Sequence, residues 1–361
     1  MPAGATDDKP LKAITVEPGT AHSVQLEERP EPPTDPATLL VQSLALGVCG
    51  TDREIISGKY GWPPPGNRRL VLGHESLGRV IDAPDGSDFA PGDLVVGIVR
   101  RPDPIPCPSC GAGEWDMCRN GLYTERGIKA LDGYGAERFR LEPDYAVKVA
   151  PALGTLGVLL EPASVLAKAW DHIERVGRRT KSWRPKRVLV TGAGPVGLLA
   201  ALMAVQRGLE LHVLDLPESG PKPILVHALG GTYYAGDFPR QLDADVFIEC
   251  TGAPQLVIEV MCHAGGNGIV CLTGVSSGGR PVPFDPGNFN RTMVLQNDVV
   301  FGSVNANRRH YEAGAAALAA ADPAWLSGLV TRRVPLSRWA EVLERRHGDI
   351  KVVLMFDPEA Q

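Results

Sequence analysis

Arg187-Val-Leu-Val-Thr191-Gly192-Ala-Gly194-Pro195-Val196-Gly197-Leu-Leu-Ala-Ala-Leu-Met-Ala-Val205 is the stretch on which the fold turns. A short β-branched run feeds a glycine-rich turn and then an Ala- and Leu-rich segment of helical character. Gly192 suits the tight turn, Gly194 lets backbone approach a pyrophosphate, and Gly197 permits close packing of helix on strand. Pro195 and Val196 open the helix, whose first N–H groups lack intrahelical acceptors and so attract an anion. Strand, turn and helix in that order read as a dinucleotide site at Gly192, Gly194, Pro195, Val196 and Gly197. The plainer alternative is a glycine-rich turn that binds no nucleotide.

Downstream, residues 211–215, 245–249, 268–273 and 299–304 read as buried strands, with helices near 195–207, 223–230, 254–264 and 310–321. That is repeated βαβ, hence an α/β fold built on a doubly wound parallel sheet. Upstream, to about residue 155, short β-like runs at 11–16, 39–46, 75–81, 94–99 and 137–141 are broken by Gly, Pro and Asp. Such spacing is that of a compact antiparallel domain or distorted barrel. A last strand-like run at 351–356 comes too late to extend the α/β alternation and is expected to return to the first domain. The expected division is therefore 1–160, completed by 322–361, and a dinucleotide-binding domain at 161–321.

Length and composition agree with two domains: the chain has 361 residues. Lys+Arg 37 against Asp+Glu 42 leaves a net charge of −5 with no basic run, which argues against nucleic acid or an anionic lipid surface as partner. Gly 41 and Pro 32 exceed ordinary usage and point to a turn-rich β portion. The longest apolar run, 198–205, falls short of the ~20 residues a membrane span needs. The first ten residues carry two Asp and no apolar stretch, so no signal or transit peptide is expected, and a cytoplasmic location is. Of seven cysteines, Cys107, Cys110 and Cys118 crowd together, favouring metal ligation over disulfides.

The second strand of the α/β region ends at Asp215, 23 residues beyond Gly192, near the offset of a carboxylate that grips the adenosine ribose. At ~4 Å and an effective dielectric near 20, like charges repel by about 4 kcal/mol, so a 2′-phosphate facing Asp215 is disfavoured and NAD is expected over NADP. Lys222 in the following loop could move toward such a phosphate, which keeps NADP open. Asp215 has the alternative role of capping the next segment.

In the β region, Gly47-Val-Cys49-Gly-Thr51-Asp52-Arg53-Glu54 is followed, 25 residues after the cysteine, by Gly73-His74-Glu75. Glu161 stands in Leu159-Leu-Glu161-Pro162, where the two domains meet. Thiolate, imidazole and carboxylate form a mixed set suited to zinc, and three protein ligands leave a position open for a substrate oxygen. Zinc acidifies an oxygen bound to it, so alcohol oxidation with hydride passing to a nicotinamide, and carbonyl reduction in reverse, is the expected chemistry. Thr51 is suited to relay the released proton, with Glu54 or bulk water taking it onward. Asp52 reads as the acceptor that orients His74. The plainer alternatives are a buried core Cys and His, and local turn hydrogen bonds for Thr51 and Asp52.

Together these residues resemble the zinc-dependent medium-chain dehydrogenase/reductase family over nearly the whole chain. The resemblance implies a GroES-like β-barrel catalytic domain plus a Rossmann domain. Within the family, CGTDREI at 49–55, LGHE at 72–75, ERGI at 125–128 and EP at 161–162 are most similar to the glucose (aldose) 1-dehydrogenases. Glu54 stands where many alcohol and threonine dehydrogenases carry His. By that resemblance Cys49, His74 and Glu161 hold the catalytic zinc, and Glu75 approaches the metal through a water or replaces a ligand during turnover. Glu125 and Asn305 would hydrogen-bond sugar hydroxyls beside the nicotinamide. The implied reaction is oxidation of an aldose at the anomeric carbon to the lactone with NAD(P), in a homo-oligomer, dimer or tetramer, built on the edge strand near 299–304.

The chain departs from the family pattern in places. The usual C-x2-C-x2-C-x7-C lobe lacks its first cysteine, with Pro104 in that place. Its neighbour Asp103 could complete a Cys3Asp structural zinc set with Cys107, Cys110 and Cys118. Val165 stands where some sugar dehydrogenases carry Asp, which puts glucose itself in question. No Arg follows Asp215, unlike the NADP-using members of the branch. Cys250, Cys262 and Cys271 read as small buried apolar residues. The alternatives are a dehydrogenase of another polyol, secondary alcohol or modified sugar, and a catalytically silent dinucleotide-binding sensor.

Overall fold

Strand Leu39–Val48 organises the first half of the chain, because its apolar positions Leu39, Val41, Leu44, Ala45 and Leu46 are buried while its backbone pairs on both edges. In the computed structural model, which describes residues 10–276 and 281–356, it lies between the antiparallel strands Glu75–Asp82 and Lys351–Met355 and also pairs with Arg138–Leu141. The sheet runs on through Leu94–Gly97 to Ala146–Lys148 on one side and to Val330–Pro335 on the other, seven strands in all. Two three-stranded sheets belong to the same unit. One joins Gln25–Arg29, Leu11–Val16 and Leu70–Val71, and the other joins Arg100–Arg101, Thr124–Arg126 and Ala130–Leu131. Ile14, Leu39, Leu70, Val80, Phe139 and Leu354 share one core.

The return of the C-terminal strand follows from burial. All five side chains of Lys351–Met355 are buried. Burying an apolar side chain of this size is worth about 1.5–3 kcal/mol, whereas the entropy of closing a long loop grows only with the logarithm of its length. The strand therefore closes the sheet of the first unit.

The second unit is a six-stranded parallel sheet in the order Thr232–Ala235, Glu210–Asp215, Arg187–Thr191, Val246–Glu249, Ile269–Leu272, Val299–Gly302. The earliest strand lies inside and later ones are added outward on both sides, which is doubly wound order. Helix Pro195–Gln206 is buried from Gly197 through Ala204, as expected of a helix apolar all round. Gly192 takes φ +91, and a Cβ on Gly197 would lie 1.7 Å from the Gly192 carbonyl oxygen, so neither position admits a side chain.

The chain divides differently from the sequence expectation after residue 305. The first compact unit gathers the residues up to Glu161 with Ala306–Ala319 and the segment from Val330 onward; the second holds Pro162–Asn305 and Ala320–Leu329. Helix Arg308–Ala319, assigned from sequence to the nucleotide half, packs on the segment Pro151–Leu159 and on strand Ala146–Lys148. It is tied there by the Tyr311 hydroxyl, which accepts from the Val99 N–H at 3.3 Å, and by the Asn307 amide, which donates to Asp116 Oδ1 at 2.9 Å. Helix Pro323–Leu329 goes the other way, because Trp325 donates from Nε1 to the Leu225 carbonyl at 2.9 Å.

The sequence reading does not anticipate helix Leu160–Gly177, strand Thr232–Ala235 or helices Pro286–Gln296 and Pro323–Leu329. Strand Thr232–Ala235 is four residues long, and Pro286–Gln296 has no buried residue, so neither shows a diagnostic period. The expected absence of an N-terminal leader rests largely on residues 1–9, and the end of the expected C-terminal segment on 357–361; both lie outside the described residues.

Candidate active site

Cys49 leaves the end of strand Leu39–Val48 and caps helix Gly50–Ile56. The Thr51 N–H donates to its Sγ at 3.3 Å, and the Cys49 N–H donates to Asp52 Oδ2 at 2.9 Å, so thiol and carboxylate close the helix start reciprocally. Asp52 turns its other oxygen, Oδ1, to His74 Nδ1 at 3.3 Å, and the opposite ring nitrogen, Nε2, lies 3.0 Å from Cys49 Sγ. Asp52 thus holds both residues. Burial raises its carboxyl, but the His74 charge and hydrogen bonding outweigh burial and leave it lowered. His74 is raised well above its ordinary value against burial, by Cys49 and Asp52.

Glu75 follows His74 into strand Glu75–Asp82 and sits opposite Gly47 in the register. A Cβ at Gly47 would lie 2.0 Å from Glu75 Oε2, so the glycine makes room for the carboxylate. Both Glu75 oxygens accept from Lys351 Nζ, at 2.7 and 2.5 Å, and both residues are buried. Glu75 and Cys49 overcome burial and raise the Lys351 amine.

One donor atom each from Cys49, His74 and Glu75 lies within 4.8 Å of the others. Glu161, expected from sequence as the third ligand, is not in that group. It stands partly buried in the first turn of helix Leu160–Gly177. Its carboxyl is pushed up to about 7 by burial, reinforced by the Glu75 charge and opposed by His74 and Lys351. Three observations bear on a metal here: a sulfur, an imidazole nitrogen and a carboxylate oxygen converge, the Glu161 carboxyl is raised by burial and by the charge of Glu75, and Asp52 backs the imidazole. A divalent cation of zinc's ligand preference fits this set and would relieve the carboxyl crowding.

Thr51 is partly buried at the same helix start, and Glu54 is exposed one turn on. Cys107, Cys110 and Cys118 form a second group within 4.8 Å. Backbone N–H groups of Arg119 and Cys110 bring the Cys107 thiol down to about 6, while burial and the neighbouring sulfurs push Cys110 up to about 11. Asp103 is buried, with Oδ1 accepting from the Ile105 N–H at 2.8 Å and Oδ2 without a hydrogen-bond partner, but it is not among the atoms within that distance.

In the second unit Gly194 precedes the helix as its cap, and space around its Cα is open, as close approach of a ligand requires. Pro195 and Val196 form the first turn. Asp215 is engaged on all sides: Oδ2 accepts from the Ala193 N–H at 3.0 Å and from Lys222 Nζ at 2.6 Å, and Oδ1 accepts from the Leu216 N–H at 2.7 Å. The expectation of NAD over NADP rests on an uncompensated Asp215 carboxylate, and the structure pairs that carboxylate with Lys222. Lys222 offsets the Asp215 charge. Asn305 follows strand Val299–Gly302 with φ 61, in the left-handed region that Asn tolerates. Burial pushes the Cys250 thiol up to about 12 and also raises Cys271 and Cys262.

Glu125 lies buried on strand Thr124–Arg126, opposite Arg100. Sequence reasoning found neither Lys351 nor Arg100. Nothing local marks them, since each acts through a partner on another strand.

A model of the glucose dehydrogenase C-terminus matches residues 154–356, and a model of the alcohol dehydrogenase GroES-like domain matches 35–151. The chain is 39% identical over 354 residues to glucose 1-dehydrogenase 1 of Caldivirga maquilingensis, covering 96% of this chain and 99% of the relative. It is 40% identical over 352 residues to glucose 1-dehydrogenase of Thermoproteus tenax, covering 95% and 99%. The Haloferax mediterranei glucose dehydrogenase in complex with NADP, Zn and gluconolactone superposes with a TM-score of 0.89 at 33% identity, over 96% of this chain and 99% of that one. End-to-end coverage at such identity, with both family models matched in order, makes this chain a member of the glucose dehydrogenase family of zinc-dependent medium-chain dehydrogenases.

Proposed function

We infer that this protein oxidises an aldose of the glucose class at its anomeric carbon to the lactone, using zinc and NAD(P). The observation that carries the reading is the convergence of Cys49, His74 and Glu75, with Asp52 and Glu161 around them, in a chain that aligns end to end with glucose 1-dehydrogenases. Cys49, His74 and a carboxylate from Glu75 or Glu161 would hold the catalytic zinc. Zinc supplies Lewis acidity toward the anomeric oxygen, and the nicotinamide supplies the hydride acceptor.

The chain's own residues do the remaining work. Asp52 holds His74 in one orientation and Cys49 at the helix start. Thr51 takes the proton leaving the anomeric hydroxyl and passes it toward exposed Glu54 or water, while the anomeric hydrogen departs with its electron pair. Glu125 and Asn305 accept from sugar hydroxyls, and a site built for hydroxyls rejects analogues lacking them. Gly192, Gly194, Pro195, Val196 and Gly197 receive the pyrophosphate at the helix start, and the Asp215–Lys222 pair lets the ribose pocket accept either NAD or NADP. In the cysteine lobe Asp103 would supply the fourth ligand of a structural zinc beside Cys107, Cys110 and Cys118, its buried Oδ2 being an atom without a hydrogen-bond partner. Strand Val299–Gly302 is the sheet edge, and exposed Val294, Leu295 and Val304 favour a homo-oligomer built there.

The test is NAD(P) reduction by the zinc-loaded protein over a panel of D-glucose, D-galactose, D-xylose and acyclic polyols. Saturable turnover with aldoses and lactone as product is expected. Turnover confined to acyclic polyols refutes the aldose assignment.

A further inference from the structure

Arg100 and Glu125 face each other across an antiparallel pair of strands, and both are buried, 5% exposed each. Arg100 Nε and Nη2 both donate to Glu125 Oε1, at 3.0 and 2.9 Å. Nη1 donates to the Asp116 carbonyl at 3.2 Å, so all three guanidinium nitrogens are engaged. The guanidinium carbon also lies 3.7 Å from the centroid of the Tyr123 ring. Asp116 is itself fixed, its Oδ1 accepting from Asn307 at 2.9 Å, and it sits in the turn Trp115–Met117 between Cys110 and Cys118. The backbone of Glu125 is held from the other side, where its carbonyl accepts from the Ile128 and Lys129 N–H groups at 3.1 and 2.9 Å.

Ion pairs as buried as this one contribute little net stability, because desolvation offsets the attraction, and apolar replacements often serve as well. Stability alone is therefore a poor reason for the pair. Its surroundings suit a sugar instead. Tyr60 and Trp62 remain 39% and 49% exposed and pack edge to face at 5.2 Å. Trp62 is bound by backbone to Ile128 and Ala130, in the segment that follows strand Thr124–Arg126 and its Glu125. Burial raises the Tyr60 phenol and the Glu125 charge raises it further. Aromatic rings and a carboxyl group on linked segments suit a pyranose ring with its hydroxyls.

We propose that Arg100 is a positioning residue for sugar specificity: its fork fixes the Glu125 carboxylate for one ring hydroxyl and ties it, through Asp116, to the cysteine lobe. The proposal rests on the reading of Glu125 as a sugar contact. Lysine cannot replace the fork, since a point charge has neither the planar geometry nor the nitrogen for Asp116.

The experiment compares wild type, Arg100→Lys, Arg100→Gln and Glu125→Gln on D-glucose and on the deoxyglucoses that each lack one ring hydroxyl, with NADPH affinity and thermal midpoint measured in parallel. Arg100→Lys is expected to raise the glucose KM by roughly tenfold or more with a smaller change in kcat. It should also abolish the preference for glucose over one particular deoxyglucose, the same one whose preference Glu125→Gln abolishes, with NADPH affinity retained. If Glu125→Gln erases that preference and both soluble, folded Arg100 variants keep it, Arg100 is only structural and the proposal fails. If Glu125→Gln leaves every preference intact, the reading of Glu125 itself is wrong, and the proposal falls with it. Should Arg100→Gln not fold, Arg100→Lys decides alone.

Discussion

Lys351 Nζ bonds both carboxylate oxygens of Glu75, at 2.7 and 2.5 Å, across 276 residues of chain. The pair is buried and joins the strand that returns from the C-terminus to strand Glu75–Asp82, which begins directly after His74. Lys351→Met leaves a buried carboxylate without its cation and should cost about 3–5 kcal/mol in denaturant unfolding. Glu75→Gln combined with Lys351→Met should recover most of that loss. Additive losses in the double-mutant cycle would show that the two do not interact.

Cys49 belongs to the first unit, while Gly192 and Asp215 belong to the second. Cys49→Ala should therefore bring turnover to background and lower bound zinc, while NADH affinity by fluorescence titration stays nearly unchanged. Retained activity would remove Cys49 from the ligand set.

The 2.6 Å contact between Lys222 and Asp215 sets an expectation for cofactor choice. Lys222→Ala exposes a full negative charge to the 2′-phosphate and should lower the NADP to NAD ratio of kcat/KM by about tenfold or more. Asp215→Ser with Leu216→Arg should move the ratio the other way. If neither variant shifts it, the pair does not face the ribose.

Asp349 accepts from Arg332 Nη2 at 2.8 Å and from the Arg346 N–H at 3.0 Å. Burial raises its carboxyl, but these two donors outweigh burial and hold it below the ordinary value. A depressed carboxyl stabilises the fold above its unfolded pKa, and that contribution is lost as pH falls through the folded one. Asp349→Asn should thus be less stable than wild type at pH 7, with the gap closing below about pH 4. A gap independent of pH would assign the effect to packing.

The nucleotide half was legible because its signals are local. Thr191 through Gly197 declares a strand, a turn and a helix within a few residues, and Asp215 falls at the offset the sheet imposes. Cys49, Asp52 and His74 were legible as a short cluster plus one return of the chain. Helix Pro286–Gln296, with no buried face, offered no period to read.

By itself, then, the sequence determined the layers, the glycine turn and most of the donor types, since these depend on periodicity and on backbone freedom over a few residues. Only the tertiary structure decided that helix Arg308–Ala319 joins the first unit, that Glu75 rather than Glu161 groups with Cys49 and His74, that Lys222 sits on Asp215, and that Arg100 and Lys351 grip buried carboxylates. The helix is settled by its packing and by the Tyr311 and Asn307 hydrogen bonds, and the others by which charge finds its partner on a neighbouring strand, helix or loop. That choice is governed by desolvation and register, which no stretch of sequence carries alone.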